Sequence, residues 1–162
     1  GRYYRGADFA SSLRYLSDNY GDFFASLSIA YVDEERRKDT AADPFVSIMN
    51  QDRRLRSKSY LSLGWNKGDW SAGVSTSRIG SMKYRGTFAP NGNAKATKID
   101  PYFDTSAYAR YSFDVGHYIQ VSVSNLGDDI PDKNLDMSWP WFAYWYASPI
   151  GREVFITYRY TF

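Results

Sequence analysis

The sequence predicts an all-β chain, an antiparallel transmembrane β-barrel segment of about seven strands, on three observations. Apolar and polar residues alternate with a period of two in stretch after stretch, and no stretch sustains a helical period. The apolar set of each stretch carries no charge, while the opposite set is small and polar. The connections between stretches alternate strictly between short and long.

The first segment, Gly6 to Leu16, sets Ala7, Phe9, Ser11, Leu13 and Tyr15 against Asp8, Ala10, Ser12 and Arg14. The second, Asp22 to Asp33, sets Phe23, Ala25, Leu27, Ile29 and Tyr31 against Phe24, Ser26, Ser28, Ala30 and Val32. The third and fourth form a pair in which Leu61, Leu63 and Trp65, then Trp70, Ala72 and Val74, are the apolar sets. Ala109, Tyr111 and Phe113 mark the fifth, and Ile119, Val121 and Val123 the sixth. The seventh, Glu153 to Phe162, places Val154, Ile156, Tyr158, Tyr160 and Phe162 on one side.

In a soluble barrel or sandwich the polar set meets water, and Lys and Glu should dominate it. Here Ser, Gly and Ala dominate instead. A transmembrane barrel reverses the burial: the apolar set faces lipid and the polar set lines a lumen. The connections agree with this reading. Ser17 to Gly21, Asn66 to Asp69 and Asp114 to Gly116 are short and rich in Gly, Asn and Asp, as hairpin turns require. Glu34 to Arg54, Gly80 to Tyr102 and Gly127 to Ile150 are long, which matches periplasmic turns on one rim and external loops on the other. Aromatics flank the short turns: Tyr15 and Phe23, Trp65 and Trp70, Phe113 and Tyr118, with Tyr160 and Phe162 at the same level, as in an interfacial girdle.

Composition narrows the function classes. With no Cys, disulfides and thiolate sites are excluded, and a single His117 leaves nothing to complete a metal site or a His-based triad. No catalytic residues, metal ligands or cofactor are assigned, and the chain is not expected to be an enzyme. A net charge of +2 provides no broad basic surface for nucleic acid. The mean hydropathy of −0.54, read alone, fits a soluble chain, whereas an aromatic content of 19% exceeds what a soluble core needs.

The C-terminal stretch from Gly151 resembles the terminal strand of bacterial outer-membrane proteins. Its final Phe162, with Val154, Ile156, Tyr158 and Tyr160 at alternating positions, matches the signal read by the barrel-assembly machinery. Asn125 and Leu126 with Asp128 and Pro131, followed by a loop and then Gly151 and Arg152, resemble the penultimate-strand exit of TonB-dependent receptors, with Gly127 where that family has Phe. Arg5 to Asp8 and the hairpin from Arg56 to Trp70 are similar to the same family. The resemblance implies the C-terminal part, 1–162, of a barrel of about 22 strands around a plug. Seven strands ending in the periplasm begin outside, so the plug and the TonB box are expected to lie elsewhere in a longer protein. It further implies a multi-pass β-barrel in the outer membrane of a Gram-negative bacterium. Such a receptor binds and imports a nutrient, a siderophore, vitamin or carbohydrate, with TonB acting through the plug. Partners implied are outer-membrane lipid and lipopolysaccharide, the assembly machinery, the rest of the receptor and the small-molecule nutrient. The alternative is a free-standing eight-stranded barrel with a structural, adhesive or lipid-modifying role, which a chain of this length can build.

Candidate ligand contacts are Trp139, Trp141, Tyr144, Trp145 and Tyr146, whose rings on an external loop suit a sugar or an aromatic siderophore, or else form part of an aromatic belt. The polar-set charges Asp8, Arg14, Arg110, Glu153 and Arg159 are expected to pair across strands or to contact a plug. Asp128, Asp129 and Asp132 are carboxylates suited to a cation such as Ca²⁺ or to ions bridging lipopolysaccharide. Asp33 to Asp39 is expected to be a solvated external loop.

Overall fold

The computed structural model describes residues 1–49, 54–85, 96–131, 142 and 147–161. All regular structure among them is strand: β1 (Arg2–Tyr15), β2 (Asp22–Arg37), β3 (Val46–Ser47), β4 (Ser57–Lys67), β5 (Trp70–Ile79), β6 (Met82–Arg85), β7 (Ala96–Ile99), β8 (Tyr102–Asp114), β9 (His117–Ser124) and β10 (Glu153–Arg159). Seven long strands form one antiparallel meander in the order β1-β2-β4-β5-β8-β9-β10, and β3 pairs with β2 as an eighth member. β6 and β7 make a separate hairpin.

The seven expected segments are the seven long strands, and most run further than the alternation predicts. β1 starts at Arg2, β2 continues to Arg37, and β8 begins at Tyr102. The charged run from Asp33 is therefore corrected: Asp33 to Arg37 close β2 against β1, with Arg5 paired to Glu34 and Arg2 to Arg37. A cross-strand ion pair helps hold what composition alone assigns to a loop. Arg5 Nε donates to Asp33 at 2.7 Å, Arg36 pairs with Glu34 on its own strand, and a register shift between Arg5 and Gly6 accommodates the extra residue. The long connections also carry structure that was not expected, in β3 and in the β6–β7 hairpin.

Short turns fix the register. In the β4–β5 hairpin Gly68 takes φ 55° at the first of two central positions, the position that a type II′ turn reserves for Gly. Between β1 and β2, Gly21 takes φ 87° and donates its N–H to Ser17 O at 2.8 Å.

Register partners share a face, so the pairing builds two different surfaces. One row crosses all seven long strands as Leu13, Ala25, Leu63, Val74, Ala107, Val123 and Val154. The row beside it, toward the short turns, is Tyr15, Phe23, Trp65, Ala72, Ala109, Val121 and Ile156. Neither row contains a charge. The opposite face carries Ser, Gly and Ala with isolated aromatics and the charges Asp8, Arg14, Asp22, Lys58, Asp104, Arg110, Glu153 and Arg159.

This sheet is a single layer. Among the described residues only Ile48, Met49, Met82 and Ala147 are buried apolar side chains, and they lie in or beside the long connections. Met82 and Ala147 collect Leu55, Ile79, Ile99 and Tyr102 into a small cluster at that rim. The sheet faces have no such cover: Leu13 is 70% and Ile156 73% exposed. The chain exposes 11621 Å², against about 8,200 Å² for a folded monomer of its mass. Both edges are open as well, since no pairing joins β1 to β10 among the described residues. A sheet ordinarily buries one face against another layer, and among the described residues nothing covers the most apolar face of this one.

Candidate functional site

The small polar face is ordered in rows. Ser12, Ser26, Ser62, Ser75 and Ser106 are successive register partners on β1, β2, β4, β5 and β8, a belt of hydroxyls perpendicular to the strands. At the strand spacing of about 4.8 Å the belt is about 19 Å long. The next row toward the short turns reads Arg14, Phe24, Gly64, Gly73, Tyr108, Ser122 and Phe155. Its glycines are occupied by neighbouring rings: a Cβ on Gly64 would meet the Phe24 ring at 1.9 Å, and one on Gly73 the Tyr108 ring at 2.6 Å. The rings thus lie across the sheet where backbone would otherwise be bare.

Two hollows open on this face. One, of about 290 Å³, lies between Phe24, Tyr60, Tyr108 and Phe155, floored by serines of the belt, with Gln120 beside them and no acid or base in its described lining. The other, of about 520 Å³, shares Tyr60 but is lined by Asp8 and Lys58. Tyr60 therefore divides a neutral hollow from a charged one. Arg110 stays out of the neutral lining because Nε and Nη2 both donate to Gln120 Oε1, at 2.9 and 2.7 Å, with the guanidinium 4.3 Å from the Tyr118 ring centroid. That arrangement leaves the Gln120 amide N–H groups available as donors.

The charges expected to pair across this face do so in part. Arg14 reaches Asp22 at 3.5 Å and Arg110 finds Gln120. Asp8, Glu153 and Arg159 have no hydrogen-bond or ion-pair partner among the described residues.

On the apolar face the rings expected near the short turns do assemble. Tyr15 and Phe23 stand 6.3 Å apart, Trp70 and Tyr111 4.9 Å, and Phe113 and Tyr158 stack at 6.2 Å. Trp65 Nε1 donates to Tyr20 O at 2.8 Å, so an indole ties β4 to the first turn. One member is corrected: Tyr118 pairs with Ser112 and lies under Arg110, which puts it on the small polar face. Its parity is that of Gln120 and Ser122, opposite to Ile119 and Val121, and Tyr111 takes a place in the band instead. His117 belongs to the same rim, with Nε2 2.9 Å from Thr161 O and its ring 4.5 Å from Tyr160.

The exit of β9 is a compact knot. Asn125, 4% exposed and with φ 49°, donates through Nδ2 to Asp129 O at 2.8 Å and Ile150 O at 3.2 Å, while its Oδ1 accepts from Asp129 N at 2.9 Å. Asp128 Oδ1 accepts from Arg152 N at 2.7 Å, and Leu126 N donates to Thr105 O at 2.7 Å. Thus the residues at the two ends of a long connection, Asn125 with Asp128 and Ile150 with Arg152, are held together. Asp128 serves as this cap, and no cluster of three metal-ligating side chains occurs among the described residues.

Of the sequence-predicted site residues, Val154, Ile156 and Tyr158 lie on the apolar face of β10, at the open edge, and Tyr160 follows beside His117. Phe162, Asp132 and the loop aromatics Trp139, Trp141, Tyr144, Trp145 and Tyr146 lie outside the described residues. Sequence reasoning missed the serine belt and the ring-over-glycine pairs. Their only sequence trace is a Ser or Gly at matching heights on non-adjacent segments, which requires the register to be read. Comparison of the chain with protein-family models, with curated proteins and with solved structures finds no match.

Proposed function

We propose that the chain is barrel wall and external loops of an outer-membrane protein of the TonB-dependent receptor kind, which binds and imports a nutrient. One observation carries the reading: two uncharged apolar rows that cross all seven long strands and have no protein cover among the described residues. In water such a face demands a second layer, whereas in a bilayer the acyl chains supply it. The dimensions support this. β4, with 11 residues, is about 36 Å long and rises about 28 Å at a tilt of about 40°. The ring band by the short turns matches the level of a headgroup interface, and the serine face suits a lumen. Open edges at β1 and β10 are satisfied by further strands of the same wall. The nutrient, the plug and TonB come from the resemblance at the C-terminal strand and the Asn125 exit. A free-standing barrel of eight strands instead needs β1 to pair with β10, and the described residues contain no such ladder.

Alternate-face labelling, on a full-length background with any Cys outside these residues replaced, tests the reading directly. Single Cys variants of the full-length polypeptide in native membranes at Leu13, Leu63 and Val121 are expected to resist a water-soluble maleimide, while those at Ser62 and Ser122 react. Equal labelling on both faces would overturn the membrane assignment.

A further inference from the structure

We propose that the hollow between Phe24, Tyr60, Tyr108 and Phe155, together with the serine belt running out of it, is a binding track for a neutral oligosaccharide. This rests on the reading of the small polar face as a lumen and narrows the nutrient to one chemical class.

The lining selects the ligand by what it offers and what it lacks. With no acid or base in the described lining, an anionic or cationic solute would lose hydration without gaining a counter-charge. A purely apolar solute would leave the serine hydroxyls and the Gln120 amide facing nothing, a mismatch that polar sites reject strongly. A sugar ring answers both conditions. Its hydroxyls exchange hydrogen bonds with serines that donate and accept alike. Its C–H faces lie against aromatic rings, which supply apolar area at little entropy cost. Phe155, 48% exposed, and Tyr60, 45% exposed, present ring surface that nothing in the described structure covers. By contrast, Phe24 and Tyr108 are held over Gly64 and Gly73, so those two platforms are fixed in position before any ligand arrives.

Size and shape point to a chain rather than a single ring. A hollow of about 290 Å³ is at the lower end for a ligand site and takes a small ring unit. Beyond it the belt continues through Ser26 to Ser12, giving successive rings the same hydroxyls, with the nearest charge in the next row, where Arg14 reaches Asp22. The neighbouring hollow, with Asp8 and Lys58, is charged.

The test uses the full-length polypeptide, extracted in a detergent without a sugar headgroup, and calorimetric titration with maltohexaose, cellohexaose and a galacturonate oligomer of similar length. At least one neutral hexaose is expected to bind and the uronate not to. Tyr60→Ala and Phe155→Ala are each expected to weaken binding by about tenfold. Ser106→Phe, which fills the hollow, should abolish binding. Absence of binding by both neutral oligomers, equal binding of the uronate, or unchanged affinity in the Tyr60 and Phe155 variants would overturn the proposal. Cysteine labelling of the same preparations separates the two levels: a lost alternate-face pattern removes the wall assignment itself, whereas a preserved pattern with no sugar bound removes only the track.

Discussion

Replacing Asn125 by Ala should loosen the clamp between the ends of the β9–β10 connection. The side chain makes three hydrogen bonds, two donated to Asp129 O and Ile150 O and one accepted from Asp129 N. At about 1 kcal/mol each, these contribute about 3 kcal/mol. The backbone at φ 49° adds to the cost, because a left-handed conformation is worth about 1 kcal/mol more to Asn than to Ala. The sum of about 4 kcal/mol corresponds to about a thousandfold increase in local opening. Hydrogen exchange read by mass spectrometry on the full-length polypeptide in detergent measures this for peptides spanning 125–131 and 147–153. Asn125→Asp is a stringent companion: it keeps the acceptor but sets a carboxylate against two carbonyl oxygens, so exchange should rise at least as far. Peptides from β2, which make no contact with the knot, should be unchanged. If the Ala variant exchanges within about threefold of the parent in both peptides, the clamp is not what joins the strand ends.

The remaining predictions concern turns, assembly and pH. Gly68→Ala should cost about 1 kcal/mol, from φ alone, because its Cβ finds open space. Gly21→Ala should cost clearly more, since its Cβ would sit 2.3 Å from Asn66 O, and equal exchange rates in the two turns would refute that ordering. Phe162→Ser should reduce the amount of protein assembled in the outer membrane, read from membrane fractions, and normal assembly would remove the terminal-signal assignment. Hydrogen bonds from Thr40, hydroxyl first and backbone N–H second, hold the Asp43 carboxyl below its ordinary value of 3.8. Its support for that turn is therefore intact above 3.8 and lost as pH falls through the lower folded value. An NMR titration of Asp43 with its midpoint at or above 3.8 would contradict the contact.

Much of the sheet is legible in the sequence because a strand that presents different faces to different surroundings must alternate, and alternation fixes both the element and its parity. Leu61, Leu63 and Trp65 with Trp70, Ala72 and Val74 specify the β4–β5 hairpin almost completely, since Gly68 and Asp69 determine the turn. Alternation fails where charge pairing takes over. Arg2, Arg5 and Asp33 to Arg37 form strand by facing one another, and neither partner has an apolar parity to betray it. Tyr118 fails for a different reason: its place beside a short turn suggests the ring band, while its parity with Gln120 and Ser122 puts it on the other face. The serine belt is illegible for a third reason. Each serine is unremarkable on its own segment, and the feature exists only once five strands are aligned. The Asn125 knot sits between these cases, since the residues stand out in the sequence but the carbonyl of Ile150 that completes the clamp lies 25 positions away.

The unequal strand lengths give the sheet a slope. From the short turns upward β2 has 16 residues and β10 has 7, or about 53 Å against about 23 Å. The rim carrying the long connections therefore falls by about 30 Å from one side of the sheet to the other. On the proposed wall reading this end is a ramp rather than a level mouth. Its crest is the end of β1 and β2 where Arg5 meets Asp33, and its foot is the connection pinned by Asn125.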